Sequence, residues 1–276
     1  MKQSDYLMQQ YALIKAWENE EPGIVSKTFG KLLSPIGKLI SVVVPEKVIE
    51  SSINAANAAA QYLTDTNDVL RDGKVESIEE LRTKDLKLSD QLADSVHNWA
   101  VGIATAEGGA VGATGLPGLI ADIPFITTLA LRTIHKIGVC YGFTADASNA
   151  EEEKAFVLGV LAAANASTLG EKAGFIFGLK QISVLIQRNA WKKLAEMGSA
   201  NLLAKSIVSV RQAAKLIGVN LTKRKASQSI PFIGAPVAAA LNAAFINDIA
   251  WAARRSYQRR WLEENKVIEP EASVDE

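Results

Sequence analysis

A chain of 276 residues with 48% hydrophobic residues has ample material for a core, and its single cysteine, Cys140, excludes an internal disulfide. Aromatic residues are only 7%, so alanine, leucine, valine and isoleucine must fill that core. The net charge of zero hides an uneven spread: −7 over residues 1–179, +12 over 180–262 and −5 over 263–276.

The first 22 residues have no basic start and no long apolar run, so no signal peptide is expected. With the lone cysteine, this predicts a protein of the reducing cytoplasm. Tyr6, Leu7, Tyr11, Ile14 and Trp17 recur at helical spacing, and Glu20-Glu21-Pro22-Gly23 stops that helix. Residues 24–44 are apolar, with Lys27, Lys31 and Lys38 on one face and breaks at Pro35 and Gly37. Two short helices with a basic face fit both a membrane interface and an ordinary surface. Pro45 starts a long alanine-rich helix. Residues 1–70 therefore read as N-terminal amphipathic helices, possessing no visible tie to the rest.

Residues 71–90 are polar and of mixed charge, and read as a connection. Ser89 is the expected cap of the next helix, which opens the main helical domain, 91–262. Within it, the stretch Glu107–Phe143 is almost wholly apolar and small. It is punctuated by Gly108, Gly109, Gly112, Gly115, Pro117, Gly118 and Pro124, and contains Glu107, Asp122, Arg132 and His135. Ser148 with Glu151, and Thr168 with Glu171, have capping-box spacing for two further helices. A helix around 200–217 and the basic turn Lys223-Arg224-Lys225 precede a second proline-led helix, 231–257. The acidic tail 263–276 reads as disordered.

No five-residue alternation marks a strand. The expected fold is all-α: a single multi-helix domain with glycine-rich helices crossing closely at its centre and no significant sheet. No segment is a clean transmembrane span, because Asp122 splits the central stretch, and Ser227, Gln228, Ser229, Asn242 and two prolines interrupt residues 226–247. Whether 226–247 lies in protein or against lipid stays open. The mean hydropathy of +0.09 keeps peripheral membrane contact open too.

The +12 block suggests an anionic partner: membrane phospholipid, nucleic acid or an acidic protein face. Alternatively, the acidic half of the same chain balances it. Arg254, Arg255, Arg259 and Arg260, interleaved with Trp251, Tyr257 and Trp261, form the clearest surface pattern. Guanidinium groups among rings suit a phospholipid headgroup layer. No nucleic-acid-binding fold accompanies them.

Asp122 before Ile123-Pro124 has the position of a helix cap, and also of a buried carboxylate sharing a cleft with Arg132. Glu107 either faces water or meets Arg132, Lys172 or His135. A metal held by Glu107, Asp122, His135 and Asp248 has no recognised ligand spacing. No metal and no cofactor are therefore expected. Nucleophile motifs and phosphate loops are absent.

The pattern EGG-x2-G-x2-GLPG-x3-DIP-x7-R-x2-H-x2-G-x2-YGF over 107–143, the FVLGVL helix and the closing segment 230–262 resemble the EcsC family of bacterial proteins. The likeness spans roughly residues 80–262 and leaves out the first 70. It implies a helical accessory protein, cytosolic or on the inner face of the cytoplasmic membrane, beside an ABC exporter and without a settled activity. The favoured expectation is a non-enzymatic, lipid-associated protein. The alternative is a hydrolase, metal-dependent or not, using Glu107, Asp122 and His135. Oligomeric state is not readable.

Overall fold

The computed structural model describes residues 3–22, 51, 53–56, 64–112, 116–144, 150–187 and 234–271. Its elements are α1 (Gln3–Asn19), α2 (Asn67–Gly73), a 3-10 turn (Ile78–Arg82), α3 (Leu86–Gly112), α4 (Leu116–Cys140), α5 (Ala150–Ala164), α6 (Leu169–Gln187) and α7 (Gly234–Glu264). No strand occurs among the described residues, so the all-α expectation holds. Outside them lie the 24–44 helices, most of the helix from Pro45, the Ser148–Glu151 box, the 200–217 helix and Lys223-Arg224-Lys225.

α7 is the axis of the fold. Its most extensive partner is α3, followed by α4 and α5, and α1 and α6 close the remaining sides. Every residue from Ala252 to Glu263 is buried. An interior helix has no solvent face, so its polar side chains must find partners inside. α3 and α4 form an antiparallel pair joined by three residues. At its far end, α3 meets α7 backbone to backbone: a Cβ on Gly108 would lie 2.6 Å from the carbonyl oxygen of Ala238. Only glycine permits that approach.

α4 ends in a left-handed glycine. Gly142 has φ +86°, its N–H donates to Val139 O at 2.9 Å, and Phe143 N–H donates to Gly138 O at 2.9 Å. This Schellman geometry satisfies the last carbonyls of the helix. Arg82 Nε then donates to Gly142 O at 2.6 Å, fastening the 3-10 turn to it.

Several local expectations need correction. Ser89 does not cap α3; the helix starts at Leu86, and Asp85 Oδ1 accepts the Lys87 N–H at 3.1 Å. Asp122 is not a cap, because α4 already runs from Leu116 and continues through Pro124. Residues 71–90 are not a loose connection, since Val75, Ile78, Leu81 and Leu86 belong to the core. α1 is no appendage either: Ile14 is 1% exposed within the same core. The described part of the tail does not hang free: the Glu271 carboxylate pairs with Lys15, Lys180 and Arg259. The Thr168 cap stands, with Oγ1 accepting the Glu171 N–H at 3.2 Å.

Candidate functional site

The four arginines of α7 lie inside the protein, not on its surface, with exposures of 8%, 9%, 5% and 1% for Arg254, Arg255, Arg259 and Arg260. Arg254 Nη1 donates to Asp94 at 2.7 Å. Arg259 donates through Nε to Glu263 at 2.8 Å and through Nη1 to Glu18 at 2.9 Å, while Nη2 stands 3.3 Å from Glu271. Arg260 Nη1 donates to Glu153 Oε2 at 2.9 Å, and its guanidinium lies 4.0 Å from the centre of the Phe143 ring. The rings between the arginines pack inward as well. Tyr257 sits 5.0 Å from Phe156 and 5.7 Å from Phe143, and Trp261 Nε1 donates to Leu81 O at 2.9 Å. A buried charge persists only when paired. The acidic partners come from α1, α3, α5, the end of α7 and the tail, so part of the segregated charge in the sequence is reunited across the core.

Glu107, Asp122, Arg132 and His135 do not form one site. Asp122 and His135 are 13 residues apart on one helix, about 20 Å along its axis, and Asp122 and Arg132 about 15 Å. Arg132 places its guanidinium over the exposed ring of Trp99, 5.1 Å from its centre. His135 lines a cavity of about 220 Å³ with Glu153 and Tyr257. Burial pushes its imidazole down to about 4 against the upward pull of Glu153. Glu107 is half-buried and makes no ion pair with Arg132, Lys172 or His135 among the described residues. Among those residues, no group of three His, Cys, Asp or Glu could hold a metal ion. Cys140 is fully buried, and burial raises its thiol to about 12, which leaves it an inert core group.

The sequence profile of the EcsC protein family matches residues 8–262. The chain belongs to the EcsC family. The match includes the N-terminal helix, which corrects the expectation that residues before about 80 stand outside it. The packing of α1 against α7 and α6 agrees with that wider extent. A relative, the uncharacterized protein YdbA of Bacillus subtilis (strain 168), is 25% identical over 258 residues, covering 91% of this chain and 83% of its own length. No solved structure matches.

Two features of this EcsC protein were not visible in its sequence. The first is a buried hub at Asp90, whose carboxylate accepts hydrogen bonds from Tyr6 (2.6 Å), Tyr141 (2.5 Å) and Gln258 (2.6 Å). In the sequence, Asp90 reads only as an acidic residue near a helix start. The second is a cleft of about 600 Å³ between α1, α5, α6 and α7, walled by Trp17, Ala163, Ala164 and Trp251 and reached by Asn247 and Arg255. Its lining comes from four separate helices, and no local pattern signals it.

Proposed function

We propose that this EcsC protein is a non-enzymatic accessory protein that lays one end of its helical bundle on the cytoplasmic face of the membrane. The observation that carries the reading is the composition of that end. It combines the last turns of α3 with the first turns of α4 and α7, joined at Gly108 and Ala238. Between Thr105 and Arg132 the only charged residues are Glu107 and Asp122, and Gly234–Asn247 contains none. The exposed positions described there are Ala106, Ala110, Pro124, Phe125 and Pro236. Where charge resumes, Arg132 stacks on Trp99, a pairing suited to the headgroup level.

No helix among the described residues is long and apolar enough to cross a membrane. The proposed mode is shallow insertion. Lys223, Arg224 and Lys225, outside the described residues, precede α7 by nine to eleven residues in the sequence. Those cations supply an attraction to anionic lipid. The family resemblance adds the expected neighbour, a membrane transporter. The hydrolase alternative needs Glu107, Asp122 and His135 to converge, and the length of α4 keeps the last two apart.

Sedimentation with phosphatidylglycerol-containing and pure phosphatidylcholine vesicles tests the reading. Binding to the anionic vesicles is expected, weakened about fivefold by Phe125→Ser, since roughly 1 kcal/mol of ring burial is at stake. A protein that stays in the supernatant with both vesicle types at low salt overturns it.

A further inference from the structure

The buried arginines of α7 are not equivalent. Arg254, Arg259 and Arg260 each have a carboxylate oxygen within 2.8 Å. Arg255 has no such partner among the described residues. Its Nη1 donates to two neutral amides, Gln258 Oε1 at 2.7 Å and Gln10 Oε1 at 3.2 Å. Asp90 is reached only through Gln258, whose Nε2 donates to it. One face of the guanidinium lies against Trp251, 4.9 Å from the ring centre. Among the described residues, Nε and Nη2 make no hydrogen bond. Neither belongs to the sealed, unsatisfied atoms of the interior, which do include Arg254 Nε and Arg259 Nη2. The residue is 9% exposed and borders two spaces: a void of about 10 Å³, too small for more than a water, and the cleft of about 600 Å³ between α1, α5, α6 and α7.

A guanidinium held in the interior without a carboxylate costs the fold stability. Burial accordingly lowers the Arg255 pKa from its ordinary value. A costly charge at the wall of a cleft is a signature of a binding position. The other cation at this cleft is tied down. Lys172 Nζ donates to the Trp17 and Glu20 carbonyls at the end of α1 and sits 4.4 Å from the centre of the Trp17 ring, so two of its three donors are already used.

We propose that this cleft binds a small ligand through an oxyanion, a carboxylate or phosphate group, held by Nε and Nη2 of Arg255. Two parallel N–H donors on one edge of a guanidinium match two oxygens of such a group. The volume of about 600 Å³ holds more than a bare ion. Trp17, Ala163 and Ala164 give the rest of the ligand an apolar wall. The Glu20 carboxylate favours a ligand that also carries hydroxyl or amino donors, and the Asn247 amide, whose Oδ1 already meets His97 Nε2 at 3.0 Å, leaves its NH2 for a hydroxyl oxygen. The inference goes beyond membrane attachment and does not depend on it.

Isothermal titration calorimetry on the full chain tests it, with inorganic phosphate, acetate, glycerol 3-phosphate and dihexanoyl phosphatidic acid below its micellar concentration as probes. Glycerol serves as the uncharged control. Saturable binding of at least one anionic probe is expected, with glycerol silent. Arg255→Gln, which keeps an amide for Gln10 and Gln258, is expected to weaken it at least tenfold while melting cooperatively. Ala16→Trp is expected to block binding from the exposed rim of the cleft without touching Arg255. Binding of glycerol 3-phosphate as tightly as the lipid assigns the site to a soluble ligand; binding of dihexanoyl phosphatidic acid alone assigns it to a headgroup. No saturable heat from any anionic probe, or equal affinity in both variants, overturns the proposal. Because the probes are soluble, this result is separate from the vesicle experiment.

Discussion

Arg260 and Glu153, 107 residues apart in the chain, meet in the core with Nη2 2.7 Å from Oε1 and side-chain exposures of 1% and 3%. Glu264 flanks the same guanidinium at 3.3 Å, four residues on. Truncating one partner of a buried pair strands the other charge, which costs about 3–5 kcal/mol. Arg260→Met should lose that much in urea unfolding. Adding Glu153→Gln should restore most of it, because the stranded carboxylate is then gone. A double variant no more stable than Arg260→Met would show that packing, not charge, holds this site.

The tail makes a smaller contribution of the same kind. Glu271 accepts from Lys15 and from Lys180 at 2.7 Å, and Arg259 lies 3.3 Å away. Partial burial pushes its carboxyl up, but the Lys15 and Lys180 hydrogen bonds and the charge of Arg259 outweigh it and hold the group at about 2. The folded pKa is depressed, so the stabilisation is present above about 4.5 and is lost as pH falls toward 2. With the carboxylate 39% exposed, solvent screening limits it to about 1 kcal/mol or less. Glu271→Gln should remove this component of an acid titration and leave stability at neutral pH lower by that amount.

Local chemistry was legible in the sequence; partners were not. The stop after Asn19 and the Thr168 cap each depend on residues within a few positions, and each is where the sequence puts it. Asp122 misled because Asp before Ile-Pro has the local form of a cap, yet α4 carries on through Pro124, whose carbonyl receives the Thr128 hydroxyl at 2.7 Å. The arginines of α7 misled for a different reason. Charges read as surface unless their counter-charges are known, and Arg259 finds Glu18 at a separation of 241 residues. The same distance in sequence hid the Asp90 hub and the cleft.

His135 gives the fold a second acid sensitivity, at higher pH. Burial holds its imidazole at about 4, below the ordinary 6.5, with Glu153 opposing the shift. A base whose folded pKa is lowered contributes stability that is full above about 6.5 and declines as pH falls toward 4. The full decline amounts to about 3 kcal/mol, from 1.36 kcal/mol per unit. Stability of the wild type between pH 7 and 4, measured by urea unfolding, should fall accordingly, and His135→Gln should flatten the curve in that window. An unchanged slope in the variant would assign the acid sensitivity to other groups.

The crossing of α3 and α7 can be tested with two glycines on one helix. A Cβ on Gly108 would meet the Ala238 carbonyl oxygen at 2.6 Å and the Ala239 Cα at 2.8 Å, all backbone atoms that cannot rotate away. A Cβ on Gly102 meets nothing within 4 Å. Gly102→Ala should therefore gain about 0.5–1 kcal/mol from helix propensity alone. Gly108→Ala gains the same propensity but must force the helices apart, at a cost of about 1–3 kcal/mol. The net effect is expected to be destabilising, opposite in sign to Gly102→Ala. Thermal unfolding of the two variants side by side decides it. If both rise together, α3 and α7 do not touch at Gly108, and the apolar end of the bundle that carries the membrane reading loses its central joint.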